Sequence, residues 1–249
     1  MAVGSSGAGA KSVFALDITD VSGSGSVTKN NVLWEFTHPA LGYHMGQPAV
    51  VALPNQKFGV VISSGYHEKS PKKGYVWILD IQDGTVLKEF ELNTQANLGG
   101  VLAADLTGDL QVDRLYVAGT DGQIWRMDTT SDSVSKWGIP SSLKSQALVK
   151  VVDRTGEAQA ITAPLALSVN ERGQPMLLVG TGSFYRTGDN EIPENPQVET
   201  LYGLFDSGQP IDGRRSLLQQ TIVAQELRDG NLLRAVSANP LSSQMGWYL

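Results

Sequence analysis

Four segments of the chain share one pattern, an aromatic residue and one or two apolar residues running into an aspartate. They are "SVFALDITD" with Asp17, "GYVWILDIQDG" with Asp80, "GQIWRMDTTSD" with Asp128 and "TLYGLFDSG" with Asp206. Each runs apolar or alternates for a few residues and then meets Asp, Gly, Thr or Ser, which is how a strand entering a turn reads. The aspartates recur 63, 48 and 78 residues apart. Those intervals exceed the roughly 40 to 50 residues of one propeller blade, and insertions between strands account for the excess. Helical periodicity of useful length is missing, with 141–150 and 214–220 the only weak candidates.

Around these segments further strands can be placed. "KFGVVISSGY" (57–66) and "DRLYVAGT" (113–120) precede the second and third copies; "DGTVLKEFEL" and "SDSVSKWGI" follow them, each with an aromatic residue, Phe90 and Trp137, near its end. The order of strand, strand, aromatic strand with Asp, turn and strand is that of a four-stranded blade. Residues 49–92 and 100–139 make the clearest blades, and 147–206 a third, with a long insertion around "RTGDNEIPENPQVE". The first 40 residues read as the last strands of an earlier blade, and "LQQTIVAQEL" and "NLLRAVSANP" as strands of another. The expected fold is therefore all-β, a β-propeller of about four to five blades, in one domain over 1–249, a length able to bury a full-sized core. An open sheet edge templates aggregation, and propellers normally pair their ends within one blade. A chain stopping at "GWYL" is then expected to be part of a larger ring, and on its own either to associate through open edges or to close by an unusual end-to-end contact.

One loop carries metal chemistry. In "DLTGDLQVD", Asp105, Thr107, Asp109 and Asp113 fall at positions 1, 3, 5 and 9 of a calcium-binding loop of the EF-hand type, with no helix on either side. Calcium takes about six to eight oxygen ligands, and alternate residues of a short loop can aim them at one point. Asp105, Asp109 and Asp113 would supply carboxylates, Thr107 a hydroxyl or a water-bridged contact, and Gln111 its backbone carbonyl. Thr107 lowers the charge of the shell, which weakens binding. Leu110 stands at the position that needs φ > 0, and Tyr116 stands where a twelfth-position carboxylate would be. The competing reading is a turn whose aspartates bond their own backbone.

Charge and composition narrow the partners. A formal net charge of −6 argues against nucleic acid or an anionic membrane, whose binding rests on clustered Lys and Arg. The basic stretch "HEKSPKK" (67–73) reads as a solvated hairpin tip. The chain has no cysteine, so neither disulfides nor thiolate metal sites are available. No apolar run approaches the ~20 residues needed to span a bilayer. The N-terminus lacks the pattern of a secretory signal, so either the protein stays inside the cell or the chain is a piece of a longer secreted one. His38, His44 and His67 are spaced for structural roles rather than for a metal. Trp34, Trp77, Trp125 and Trp137 read as packing between blades. "GTGSFYRTGD" has no following helix and no Lys, and reads as a strand leaving through a turn rather than a phosphate loop.

Taken in order, "AGAKSVFALDITD", "VLWEFTHPALGYHMGQPAV", "ADLTGDLQVDRLYVAGTDGQIWRMD" and "LLVGTGSFYRTGD" resemble the C-terminal domain of the PilY family, type IV pilus biogenesis factors and pilus-tip adhesins. The resemblance runs from about residue 3 to the end and covers the middle and later blades of that family's modified, quinoprotein-like propeller. It implies a non-enzymatic, calcium-regulated factor that supports pilus extension, surface adhesion and twitching motility. The implied cofactor is Ca2+. The implied partners are pilin or minor pilins and a host or abiotic surface. The implied location is the cell surface, at the pilus tip or outer membrane, after export within a longer precursor. The family's loop has the form D-x-D-x-D-G-x-x-D, from which Thr107 and Leu110 depart. Two other functions are open: a propeller scaffold for protein partners, and a quinoprotein dehydrogenase, whose blade pattern "LDIQDGTVLKEF" echoes. Against the enzyme stand the absent cysteines and the lack of acid, base and metal ligands gathered in one repeat.

Overall fold

The computed structural model describes residues 1–19, 27–68, 72–170 and 173–249. Its first sheet is antiparallel, with strands β1 (Ala2–Ser5), β2 (Val13–Leu16) and β3 (Val32–Phe36) in that order. The second is an antiparallel meander of β4 (Ala49–Ala52), β5 (Phe58–Ser63), β6 (Gly74–Asp80) and β7 (Val86–Leu92). The third contains β8 (Leu98–Ala104), β9 (Arg114–Gly119), β10 (Gln123–Asp128) and β11 (Val149–Lys150), again in sequence order. The fourth joins β12 (Ala166–Val169), β13 (Pro175–Gly180), β14 (Leu201–Phe205), β15 (Leu218–Gln219) and β18 (Gly246–Tyr248). A hairpin of β16 (Ile222–Arg228) and β17 (Asn231–Val236) forms a separate two-stranded sheet whose residues are all exposed.

The sheets stack face to face, and the alternation of side chains along each central strand shows how. In β5, Val60 and Ile62 pack with Val13, Ala15, Trp34 and Phe36 of the first sheet; Val61 points the other way. In β6, Trp77 and Leu79 join that same side while Val76 and Ile78 pack with Leu115, Val117, Trp125 and Met127 of the third sheet. The third sheet repeats the device, with Tyr116, Ala118 and Ile124 turned toward Leu177, Val179, Tyr202 and Leu204 of the fourth. A strand buried on both faces needs apolar residues at every position rather than at every second one. This is why "VWIL" and "LYVAG" read as continuous apolar runs.

The four aromatic–Asp segments occupy matching places. Asp80 ends β6, Asp128 ends β10 and Asp206 follows β14, each the third strand of its sheet, while Asp17 follows the middle strand β2. Three of the carboxylates turn the chain in the same way, Asp17 accepting the N–H of Thr19 at 2.9 Å, Asp80 that of Gln82 at 3.0 Å and Asp206 that of Gly208 at 2.9 Å. The tryptophans pack as expected: Trp34, Trp77, Trp125 and Trp137 are all buried.

Asp206 has a second role. Its side chain is 0% exposed and accepts from Arg126 Nη1 at 2.7 Å, Tyr116 Oη at 2.5 Å and Arg114 Nη1 at 3.1 Å. Arg126 is held in turn by Asp128 through Nε at 2.8 Å and Nη2 at 2.9 Å. An ionic network thus ties the third sheet to the fourth beneath their shared apolar layer. Burial and the facing Asp206 carboxylate push the Tyr116 hydroxyl well above its ordinary pKa, so it stays protonated and donates a hydrogen bond to Asp206.

Several expectations need correction. Residues 131–138 do not supply the outer strand of the third sheet. Val134–Lys136 form a 3₁₀ turn, closed by Trp137 Nε1 donating to Ser131 O at 2.6 Å, and the outer strand is β11. The next sheet therefore begins at β12 rather than at 147. The weak helical candidates reduce to 3₁₀ turns at Ser141–Leu143 and Gly213–Ser216. "GWYL" is not a strand left open: β18 pairs antiparallel with β14 and parallel with β15. Of the basic stretch, Lys72 donates to Pro39 O and Lys73 pairs with Glu91, while 69–71 lie outside the described residues. Among the described residues no helix is long and apolar enough to cross a membrane.

Candidate functional site

The acidic loop joins β8 to β9 within the third sheet, and its far end is fastened to the second. Val112 N donates to Ala52 O at 3.0 Å, and Gln111 forms a parallel bridge with Ala52. Asp113 is buried and sits in the ladder's first step, its N–H donating to Ala104 O at 2.8 Å and its carbonyl accepting from Thr129 at 2.9 Å. The loop therefore stands at a junction between two sheets. Asp105, Thr107 and Asp109 are exposed, and Gln111 is half-buried.

Inside the loop the carboxylates organise the backbone. Asp105 accepts the N–H of Gly108 at 2.7 Å and that of Leu110 at 2.8 Å, one on each oxygen. Asp113 Oδ2 accepts from Leu106 N at 2.7 Å, Thr107 N at 3.0 Å and Thr107 Oγ1 at 3.2 Å. Asp109 Oδ1 accepts from Gln111 N at 2.9 Å. Desolvation favours the neutral form of Asp105, but the backbone N–H groups of Gly108, Leu110, Asp109 and Thr107 outweigh it and hold the carboxyl below its ordinary pKa. Leu110 adopts φ of 69° with its side chain 84% exposed. The sharp turn that glycine usually makes is thus present despite leucine, with the strain borne by a side chain that touches little.

The donors match calcium in kind, because every candidate atom is a hard oxygen. Asp109 Oδ2 and Asp113 Oδ1 accept from no protein group, and Asp105 Oδ2, which takes the single N–H of Leu110, keeps a further lone pair, while Oδ1 accepts from both Gly108 N and Thr107 Oγ1. Among the described residues no three His, Asp or Glu side chains are gathered into a group ready to hold a metal ion. The loop's backbone is in place, while its carboxylates are committed to that backbone rather than drawn to one point.

The histidines take the structural roles expected of them. His38 Nδ1 accepts from Ala40 N at 3.1 Å, and its ring lies 5.0 Å from that of Trp77. His67 Nε2 meets Ala40 O at 3.1 Å. His44 is buried with no hydrogen-bond partner on either ring nitrogen, and burial lowers its pKa to about 4. "GTGSFYRTGD" leaves the end of β13 through a turn centred on Asp189, which accepts from Ser183 Oγ at 2.7 Å and from the N–H groups of Tyr185 and Arg186, both at 2.8 Å. Neither Asp206's ionic network nor the pairing of β18 was read from the sequence; the Asp at the end of "YGLFD" was the available signal for the first.

Comparison with known proteins bears on this fold and loop together. The family model of the PilY1 β-propeller domain matches residues 1–238. The chain is 30% identical to a type IV pilus biogenesis factor PilY1 homolog of Xylella fastidiosa, over 99% of this chain and 18% of that protein. It is 29% identical to the type IV pilus biogenesis factor PilY1 of Pseudomonas aeruginosa strain PAO1, over 99% of this chain and 24% of the relative. The chain thus spans about a fifth to a quarter of the length of these relatives. The crystal structure of the Pseudomonas aeruginosa PilY1 C-terminal domain superposes with a TM-score of 0.84 at 28% identity, covering 99% of this chain and 58% of that one.

Proposed function

The chain belongs to the PilY1 β-propeller family, and from that premise we propose that it is the propeller portion of a type IV pilus biogenesis factor, acting without catalysis at the cell surface or pilus tip. Its role is to support pilus extension, surface adhesion and twitching motility through contacts with pilin or minor pilins and with a surface. The observation that carries this reading is the family match over residues 1–238, because propellers host many unrelated activities and the architecture alone would not choose among them.

Calcium regulates that role through the loop of Asp105, Thr107, Asp109, Gln111 and Asp113. The ion would supply the positive charge around which the three carboxylates gather, and the chain's own part is to hold them ready. Asp105 and Asp113 keep the backbone folded, and Leu110 holds the turn at φ of 69°. The fastening of residues 111 and 112 to Ala52 supports a regulatory role, since a change in the loop reaches the second sheet without an intermediary.

Calcium titration followed by melting tests the reading. A ligand bound by the folded state alone stabilises by RT ln(1 + [L]/Kd), about 2.7 kcal/mol at one hundred times Kd. With a hydroxyl in place of one carboxylate, Kd falls at about 10⁻⁵ to 10⁻³ M. Asp109→Ala abolishes the shift and leaves the fold intact, and Thr107→Asp strengthens binding. In a pilus assay Asp109→Ala alters surface piliation or twitching without removing the protein from the cell. A melting curve unmoved by millimolar calcium would return the loop to a simple turn, and a calcium shift without any pilus phenotype would separate the metal from the function.

A further inference from the structure

Where the outer edge of the third sheet meets the fourth, a cavity of about 710 Å³ opens among β11, the turn at 153–156, the 3₁₀ turn Gly213–Ser216 and β18. Four cationic side chains line it: Lys150, Arg154, Arg214 and Arg215. In a chain of net charge −6 with 19 Lys and Arg in all, that concentration has to be explained, and the usual explanation, pairing with neighbouring carboxylates, does not hold. Among the described residues none of the four takes part in an ion pair, and Lys150, Arg154 and Arg215 make no side-chain hydrogen bond.

Arg214 is different in being held, and held by neutral groups only. Its Nε donates to Val152 O at 2.7 Å and to Tyr202 Oη at 3.2 Å, and Nη2 donates to Thr200 Oγ1 at 2.8 Å. The guanidinium lies 4.5 Å from the centre of the Tyr248 ring and 5.8 Å from that of Tyr202. A guanidinium has five N–H donors, so both on Nη1 and one on Nη2 stay unassigned. The fork is fixed in place, its full charge uncompensated.

Two acids share the lining, Asp153 and Asp212. Asp153 is committed to its own turn and to Gln197, accepting from Thr155 N at 2.8 Å, Thr155 Oγ1 at 2.7 Å and Glu157 N at 3.1 Å on one oxygen and from Gln197 Nε2 at 2.9 Å on the other. Asp212 is exposed and its carboxylate accepts from no protein group. Four cations against two anions leave the lining positive by two charges.

We propose that this cavity binds a doubly charged oxyanion, a phosphate group or its sulfate counterpart, either free or carried at the end of a larger molecule. The charge of such a group equals the excess in the lining. A fixed planar fork suits bidentate recognition of its oxygens, while Lys150, Arg154 and Arg215 supply mobile charge around it. The proposal is independent of the acidic loop, which lies at the junction of the second and third sheets.

The experiment is a titration with inorganic phosphate at low ionic strength, followed by calorimetry and by amide shifts of residues 153–156 and 213–216, with glycerol phosphate as a second ligand. Saturable binding localised to those residues is the expected result. Binding of both ligands means that a carried group fits, and binding of inorganic phosphate alone means that the site takes the free ion. Arg214→Lys keeps the charge but loses the fork and weakens binding about tenfold. Because Arg214 also packs on Tyr248, the Arg154→Ala and Arg215→Ala pair serves as the variant expected to fold normally, with affinity lower by about tenfold. Glycerol phosphate binding strengthens from pH 5 to pH 7 as the ester passes its second ionisation near about 6. The proposal is overturned if phosphate at about 10 mM, far above any useful Kd, gives no saturable change. It is equally overturned if chloride at matched ionic strength reproduces the shifts or if the double variant binds like the parent.

Discussion

Replacing Asp206 by alanine removes the carboxylate on which Arg126, Arg114 and Tyr116 converge between the third and fourth sheets. Breaking a buried pair by deleting one partner costs about 3–5 kcal/mol, because the other charge is left without compensation. Here the abandoned partner is Arg126, whose side chain is 6% exposed and which keeps Asp128 on its opposite edge. That residual pairing places the expected loss toward the lower end, at about 3 kcal/mol. For a chain of this size each kcal/mol lowers the melting temperature by about 2–4 °C, so a fall of about 6–12 °C is expected. Urea unfolding followed by tryptophan fluorescence reads the loss as a shift in midpoint at constant slope. Two companions isolate the cause. Asp206→Asn keeps one side-chain acceptor oxygen, enough for either Tyr116 or Gly208, but removes the charge, and should lie between parent and alanine. Asp17→Ala deletes the same residue of the same sequence pattern where it is only half-buried, free of ion pairs and bonded through its carboxylate to Thr19 alone, and should leave the midpoint nearly unmoved. If Asp206→Ala and Asp17→Ala behave alike, or if Asp206→Asn matches the parent, the network does not hold the two sheets together and the reasoning fails.

Other outcomes follow from single features. His44 has its pKa lowered to about 4 by burial, whereas the unfolded chain binds the proton near about 6.5; stability is therefore full above pH 6.5, falls by up to about 1.4 kcal/mol per pH unit below it, and levels off near 4. Calorimetric melts across that range check it, and His44→Gln should flatten that part of the profile. Gly246→Ala would set a Cβ 2.0 Å from Gly203 O at φ of +136°, so β18 should detach from β14 at a cost of at least about 2 kcal/mol, seen as loss of amide protection at residues 202–204. The hairpin of β16 and β17 packs on nothing beyond its base and an isolated hairpin is marginal in water, so limited trypsin should cut at Arg228 or Arg234 first and leave the four large sheets resistant.

Much of the fold was legible because the propeller imposes burial on both faces of its central strands. That demand writes itself into short apolar runs such as "VWIL", and the turn that follows each run needs an Asp to catch its own backbone. The second sheet, Ala49–Leu92, could be read almost to the residue for this reason. The third failed at its outer strand because "SDSVSKWGI" alternates like a strand, yet its tryptophan closes a turn on Ser131 O and leaves the edge of β10 to residues 149–150. Local pattern has no means of choosing between two such claimants. The fourth sheet's use of Gly246–Tyr248 was illegible for a stronger reason, since three residues carry no period and their partners lie more than forty positions away at Leu201–Phe205. In the acidic loop the spacing of carboxylates was visible, and Leu110 looked like an obstacle. The backbone reaches φ of 69° there regardless, because two N–H groups anchored on Asp105 outweigh the local preference of a side chain that faces water.

The place of β18 between β14 and β15 sets an order in time. Synthesis delivers these residues in sequence order, and the first three sheets are each made of contiguous sequence. They finish when residues 36, 92 and 150 arrive, each ready to be covered by its successor. The fourth breaks the sequence: after Phe205 is delivered its outer edge waits through the hairpin until Gly246–Tyr248 returns to fill it, and Leu218–Gln219 has no neighbour before then. A chain halted anywhere from residue 206 to 245 would carry three finished layers and one ragged one, with an unpaired edge able to recruit a strand from another molecule. The return of Gly246–Tyr248 is therefore the step that takes the open edge of β14 away from neighbouring molecules.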